Sequence, residues 1–205
     1  MREHIVRLMP DLDAKQLASA LSELGDLLAS RGTHYEVVLI GGGNLMLRGL
    51  IDRTTTKDLD LLGRRTPDGV VPLRPLPEDL TRAIRDIADT LGLEPDWINL
   101  GADSLLDLGL PAGFETRLER TQYGDGLGVW MASRLDMICF KLYAAVDQGT
   151  RSHHFQDLRD LRPKPDELLM AARWTTTHDP SPAFRGLLVS MIEELGVEDA
   201  DAILR

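Results

Sequence analysis

The sequence predicts an α+β protein: a small mixed β-sheet flanked by helices, with an all-α bundle at its C-terminal end. Three observations carry that prediction. Short strand-like runs, among them Val37–Ile40 and Leu127–Met131, are bounded by glycine-rich turns. Before and between them lie longer stretches with leucine and isoleucine at helical spacing. From Ser133 onward only helical periodicity is found, so the expected division is an α/β core over residues 1–132 and a helical domain over 133–205.

Residues 11–31 read as an amphipathic helix, with Leu17, Leu21, Leu24 and Leu28 on one face, Asp11 or Asp13 as cap and Gly32 as stop. Val37–Ile40 follows as a strand covered on both faces, ending at Gly41-Gly42-Gly43, and Asn44–Arg48 reads as a short helix leaving that turn. A second strand is expected over Thr56–Gly63. The stretch from Gly63 to Pro77, rich in Pro, Gly and Arg, reads as a long loop beside the site. Glu78–Leu91 is a helix with Leu80, Ile84, Ile87 and Leu91 aligned and Gly92 ending it. Trp97–Leu100 suits a short strand, Ala102–Leu108 a short helix or turn, and 110–114 a loop. Gly124-Asp125-Gly126 joins candidate strands Thr116–Tyr123 and Leu127–Met131 as a hairpin, giving a sheet of about four or five strands. Ser133 caps a helix running to Val146, and further helices are expected over His153–Leu161, Asp166–Thr176, Pro182–Leu195 and Glu198–Leu204.

Composition bounds the function. Of 205 residues 43% are hydrophobic, ordinary for a globular chain, and no apolar run approaches a membrane span. Met1–His4 lacks a signal-peptide pattern, and the single Cys139 cannot form an intrachain disulfide, so a reducing cytoplasm is the expected location, without a membrane partner. A net charge of −10 argues against broad nucleic-acid binding, although Arg64-Arg65, Arg117/Arg120 and Arg159/Arg162 can form a local basic groove.

Two segments carry chemistry. The triple glycine lets the backbone turn sharply and approach a ligand, and the amides that follow can bind an anion. On the second strand Asp58 and Asp60 share a face while Leu59 and Leu61 take the other. Two carboxylates about 6–7 Å apart repel unless a cation lies between them, and Mg²⁺ is commonly held by one or two carboxylates plus substrate phosphates. A phosphate cradle and an acidic clamp together read as a nucleoside triphosphate site with one or two Mg²⁺ ions.

Gly42-Gly43-Asn44, a short helix, then Arg53-Thr54-Thr55-Thr56-Lys57-Asp58-Leu59-Asp60 resembles the signature of the nucleotidyltransferase (polymerase β-like) superfamily. Within it, the chain most resembles the bacterial AbiEii-type nucleotidyltransferases of toxin–antitoxin and phage-defence loci. Many relatives carry Ser where this chain has Asn44, whose side-chain amide can still serve a phosphate. Phe140-Lys141-Leu142-Tyr143 resembles the family's lysine helix and nominates Lys141; a lysine in so apolar a run needs a charged partner, either triphosphate oxygens or Asp58, Asp60 or Asp157. Gln156-Asp157-Leu158-Arg159-Asp160-Leu161 resembles the acidic helix that follows, with Gln156 in place of the family's arginine, and nominates Asp157 as acid, base or orienter. Asp160 shares its helical face.

What the resemblance implies is transfer of a nucleoside monophosphate from an NTP to an acceptor hydroxyl on RNA, such as a tRNA 3′ end, or on protein. The nucleotide would be held by Gly42, Gly43, Asn44, Arg53, Thr56 and Lys141, the metal by Asp58 and Asp60, and catalysis would rest on Asp58, Asp60, Lys141 and Asp157. A third metal carboxylate, if one exists, is Glu115, Glu119, Asp103 or Asp107. The rival reading is an inactive member kept as an antitoxin-like or regulatory partner, and a third is an aminoglycoside-type enzyme with an acidic acceptor pocket. His153-His154 reads as surface, and neither a structural zinc site nor a hydrolase nucleophile nor a dinucleotide fingerprint is present.

Overall fold

A computed structural model describes residues 11–203; the reading at Met1–His4 and the end of the last predicted helix at Leu204 fall outside them. The chain runs α1 (Ala14–Ser30), β1 (Tyr35–Ile40), α2 (Gly41–Leu47), β2 (Leu59–Thr66), β3 (Gly69–Val71), α3 (Glu78–Leu91), β4 (Ile98–Asn99) and α4 (Leu105–Leu108). A 3-10 turn over Phe114–Arg117 then leads to β5 (Glu119–Tyr123) and β6 (Leu127–Met131), followed by α5 (Arg134–Gln148), α6 (His153–Leu161), α7 (Pro165–Thr176), α8 (Pro182–Glu194) and α9 (Ala200–Ile203). The fold is α+β, as the sequence predicts.

The sheet has six strands in the order β3-β2-β1-β6-β5, with β4 pairing β2 beside β3. It is mixed: β1 runs parallel to β6 and antiparallel to β2, while β4 runs parallel to β2. β1 is central, and its Val37–Ile40 stretch is fully buried, as a strand covered on both faces must be. Val38 pairs with Gly63 but Leu39 pairs with Leu61, so Leu62 is an extra residue that bulges β2 just beyond Asp60.

α1 is capped by Asp13 through a reciprocal bond with Gln16, and all four stripe leucines are buried against the sheet and α3. α3 follows its predicted bounds and ends at Gly92 in the left-handed conformation, but Leu91 is 38% exposed and does not join the buried face. Trp97, fully buried, donates its indole N–H to the Ile84 carbonyl at 3.1 Å and fixes β4 beneath α3.

The long loop expected over 63–77 is confined to 72–77. β2 continues to Thr66, turns through Pro67-Asp68 and returns as β3, with Thr66 opposite Gly69. The helix expected from Asn44 begins three residues earlier, at Gly41, so the three glycines form its first turn. Ser133 caps α5 by accepting from the Asp136 amide, and α5 packs on α6, α7 and α8 while touching α2. No helix among the described residues is long and apolar enough to cross a membrane.

Candidate active site

The ends of β1 and β2, the start of α2, and α5 and α6 meet around a cleft of about 850 Å³. Its floor is made where β1 stops and α2 begins. Gly41 has φ +79°, and a Cβ there would fall 2.2 Å from Oδ2 of Asp60. A Cβ on Gly42 would fall 2.7 Å from Nη1 of Arg53, and one on Gly43 would fall 2.1 Å from Leu59 Cδ2. The glycines therefore clear room for Asp60 and Arg53 in the cleft and for Leu59 behind it. Gly41 and Gly42 line the cleft; Gly43 is packed on Leu59 and does not.

Asn44 does not line it either. Its side chain is fully buried and donates from Nδ2 to the Ala132 carbonyl at 3.2 Å, beside Arg48, which donates to the same oxygen at 2.7 Å. These bonds tie α2 to the end of β6, where the chain turns into α5. The amide that the sequence offers to a phosphate is committed to the backbone.

Asp58 and Asp60 both line the cleft, with Leu59 and Leu61 buried on the opposite side of β2. Asp58, just before the strand, is exposed and accepts from Asn99 Nδ2 at 3.3 Å. Asp60 is half-buried. Burial pushes its carboxyl above the usual carboxylate range, the neighbouring Asp58 charge pushes further in that direction, and Lys141 opposes both. Thr56 lines the cleft and hydrogen-bonds the Asp58 carbonyl at 3.3 Å, while its backbone bridges to Leu12.

Lys141 sits on the cleft-facing side of α5 and is 4% exposed. Its partner is Asp157 on α6, 1% exposed, with Nζ 2.6 Å from Oδ2. The other carboxylate oxygen, Oδ1, accepts from Arg53 Nη2. Asp157 thus holds together the two cationic side chains that line the cleft, which is the compensation that burying Lys141 and Asp157 requires. Gln156 and Asp160 are exposed; Asp160 does not share Asp157's surroundings.

None of the four candidate third carboxylates lines the cleft. Glu115 pairs with Arg65, Glu119 with Arg48, and Asp103 and Asp107 with Arg74. Arg117 and Arg120 do not form a basic groove, because they pair with Asp136 and Glu36. Among the described residues no three or more of His, Cys, Asp and Glu gather as a metal cluster. The residues able to hold a cation are Asp58 and Asp60. Their donor set is oxygen only, their mutual repulsion calls for a counter-charge, and both line the open cleft, which fits a hard ion that takes its remaining ligands from substrate phosphates and water.

Several cleft residues escape the sequence reading. His154 is half-buried with Nδ1 3.4 Å from Lys141 Nζ, and burial together with the Lys141 charge pushes its pKa down to about 3, so its ring is neutral. His153 lies against it with ring centroids 3.8 Å apart and planes tilted by 44°, and also lines the cleft. His153 is exposed, as the surface reading of the pair has it, while His154 is drawn partly into the cleft wall. Tyr143, Asp147 and Gln148 on α5, with His178, Asp179 and Phe184 from the α7–α8 connection and the start of α8, line the far end. Helical spacing from Lys141 to Ala144 and Gln148 is the signal that identifies the α5 members. No local signal identifies the others.

A family model described as "Nucleotidyltransferase of unknown function (DUF6036)" matches residues 15–161, from the first turn of α1 through the end of α6. No curated protein and no solved structure matches the chain. The matched span holds the glycine turn, both aspartates of β2, Lys141 and Asp157. With about seven-tenths of its length under that model and the glycine floor, acidic strand and lysine helix drawn into one cleft, the chain belongs to this family of nucleotidyltransferases of unknown function.

Proposed function

We propose that the chain is an Mg²⁺-dependent nucleotidyltransferase that moves a nucleoside monophosphate from an NTP to an acceptor hydroxyl. The observation that carries this reading is that Asp58 and Asp60 share one cleft with the Gly41-Gly42 floor and Lys141. The triphosphate would lie in the cleft beside the Gly41-Gly42 turn, whose missing Cβ atoms let Asp60 and Arg53 sit close to the backbone there. Lys141 and Arg53 would supply positive charge to its oxygens, each loosening one contact with Asp157. Asp157 is a positioning residue in this account, because it reaches the substrate through these two cations.

Asp58 and Asp60 would hold one or two Mg²⁺ ions, whose chemistry is to stabilise charge on the entering and leaving oxygens. The acceptor oxygen bonds to the α-phosphorus, the bond to the β-phosphate bridging oxygen breaks, and pyrophosphate leaves with that electron pair. The acceptor's proton passes to solvent in the cleft as that bond forms.

The cleft sets four lining carboxylates, Asp58, Asp60, Asp147 and Asp179, against two cations already bound to Asp157. With a metal-bound triphosphate already in place, that balance leaves little positive charge for a second polyanion and favours a protein hydroxyl over an RNA end as acceptor. Membership of a toxin–antitoxin or phage-defence module, as in AbiEii-type proteins, is proposed on the sequence resemblance.

The rival, an inactive binding or antitoxin-like protein, draws on one observation: Lys141 and Arg53 are both already engaged by Asp157. Incubation with α-labelled NTPs, Mg²⁺ and either total RNA or cell protein tests both readings. Label transfer by the wild type that is lost in Asp60→Ala supports the enzyme. No transfer under any condition, with a stable protein partner on co-purification, supports the rival.

A further inference from the structure

The far end of the cleft is built differently from its floor. α5 turns one face along it: Lys141 near the acidic strand, Ala144 one turn on, and Asp147 and Gln148 a turn beyond. Seven residues of helix separate Lys141 from Gln148, about 10 Å along the axis and close to two whole turns, so the two side chains share a face. Asp147 and Gln148 are exposed, and neither makes a side-chain hydrogen bond or ion pair among the described residues. Beside them the wall is aromatic. Tyr143 lies 5.5 Å from His178 and 6.5 Å from Phe184 between ring centroids. Nε2 of His178 is buried without a hydrogen-bond partner. His178 and Phe184 lie beyond the residues 15–161 that the family model matches, so this wall is the contribution of this chain's own C-terminal helices.

We propose that this end is the nucleobase subsite and that it selects a base with an exocyclic amine, adenine above all. The proposal rests on the nucleotidyltransferase reading, which puts the phosphates at Lys141 and so directs the nucleoside along α5. Tyr143 and Phe184 offer ring surface to a base, a contact that any base can make. Selection comes from the two unpaired polar side chains. A glutamine amide presents a donor and an acceptor that match the N7 and N6 amine of adenine, and a carboxylate accepts from N–H donors such as an exocyclic amine and cannot pair with a carbonyl. Uracil presents a carbonyl where adenine and cytosine present the amine, and Asp147 repels it.

Calorimetric titration of the intact protein in Mg²⁺ with three ligands tests this: the α,β-methylene analogues of ATP and UTP, and inorganic tripolyphosphate. The expected order is the ATP analogue about tenfold tighter than the UTP analogue, the size of one good side-chain-to-base pair, with tripolyphosphate weakest. Gln148→Ala, at an exposed position, brings the two nucleotides to within about twofold of each other. Tyr143→Ala weakens both about tenfold and leaves tripolyphosphate unchanged. Tripolyphosphate binding as tightly as either nucleotide, or an ATP-to-UTP ratio unmoved by Gln148→Ala, overturns the base subsite and leaves the phosphate cradle standing. Failure of all three ligands to bind overturns the nucleotidyltransferase reading, and the subsite with it.

Discussion

Changing Asp157 to Asn removes one negative charge from the centre of a buried three-residue group. Lys141 and Asp157 are 4% and 1% exposed, so solvent cannot replace what the ammonium loses. Removing one partner of a buried ion pair typically costs about 3–5 kcal/mol, because the other charge stays buried and uncompensated. Arg53 reaches solvent at 27% side-chain exposure, so its loss adds little and the total should fall in the lower part of that range. For a chain of this size each kcal/mol moves the melting temperature by about 2–4 °C, so a fall of roughly 6–16 °C is expected. The assay is thermal and urea unfolding of the wild type, Asp157→Asn, and a closed cycle of Lys141→Met, Asp157→Leu and the double variant Lys141→Met/Asp157→Leu. The double variant exchanges charge for apolar volume and should recover most of the loss, leaving a coupling of about 2 kcal/mol or more. A melting point for Asp157→Asn within 2 °C of wild type, or single losses that simply add in the double variant, refutes the buried-pair account.

Other consequences follow from the same geometry. Because the Asp60 pKa lies above its unfolded value, ionising it costs stability above the folded pKa, and that cost disappears once the pH falls below the ordinary carboxylate range. Asp60→Asn should therefore raise the melting point of the metal-free protein at neutral pH, lose that advantage in acid and abolish stabilisation by Mg²⁺ with NTP, all readable in a pH series of melting curves. Asn44→Ala should cost about 0.5–1.5 kcal/mol, the net worth of one hydrogen bond, since Arg48 still donates to the Ala132 carbonyl, while tripolyphosphate affinity per folded molecule stays within about twofold of wild type. Gly41→Ala introduces a Cβ 2.2 Å from the Asp60 carboxylate at a positive φ, and Mg²⁺-dependent nucleotide binding should fall at least about tenfold by calorimetry.

The parts of the fold set by local pattern were legible. The leucine stripe of α1, the bounds of α3 with Gly92 as its stop, the Gly124–Gly126 hairpin and the Ser133 cap all depend on spacing or on one residue's backbone preference. The β2–β3 hairpin had an equally local signal, Thr66-Pro67-Asp68-Gly69, but the surrounding prolines and arginines hid it. The apolar stripe of α3 overran by one turn at Leu91 because spacing shows which residues align and not where the neighbour ends.

In the site, alternation along β2 was enough to set Asp58 and Asp60 apart from Leu59 and Leu61. The apolar setting of Lys141 implied a charged partner, and Asp157 was among those named. Tertiary contact decided the rest. Asn44 turned to Ala132, a partner 88 residues away, and His154 was drawn in by Lys141 from the neighbouring helix. The aromatic end of the cleft exists only because α7 and α8 fold back beside α5, which no spacing in the sequence encodes.

The most direct test is a crystal structure of the protein with Mg²⁺ and the α,β-methylene analogue of ATP. The account predicts a metal about 2.0–2.1 Å from oxygens of both Asp58 and Asp60, with the triphosphate beside Gly41 and Gly42 and Lys141 turned onto it. A triphosphate bound elsewhere, or bound with the two aspartates taking no part, would contradict it.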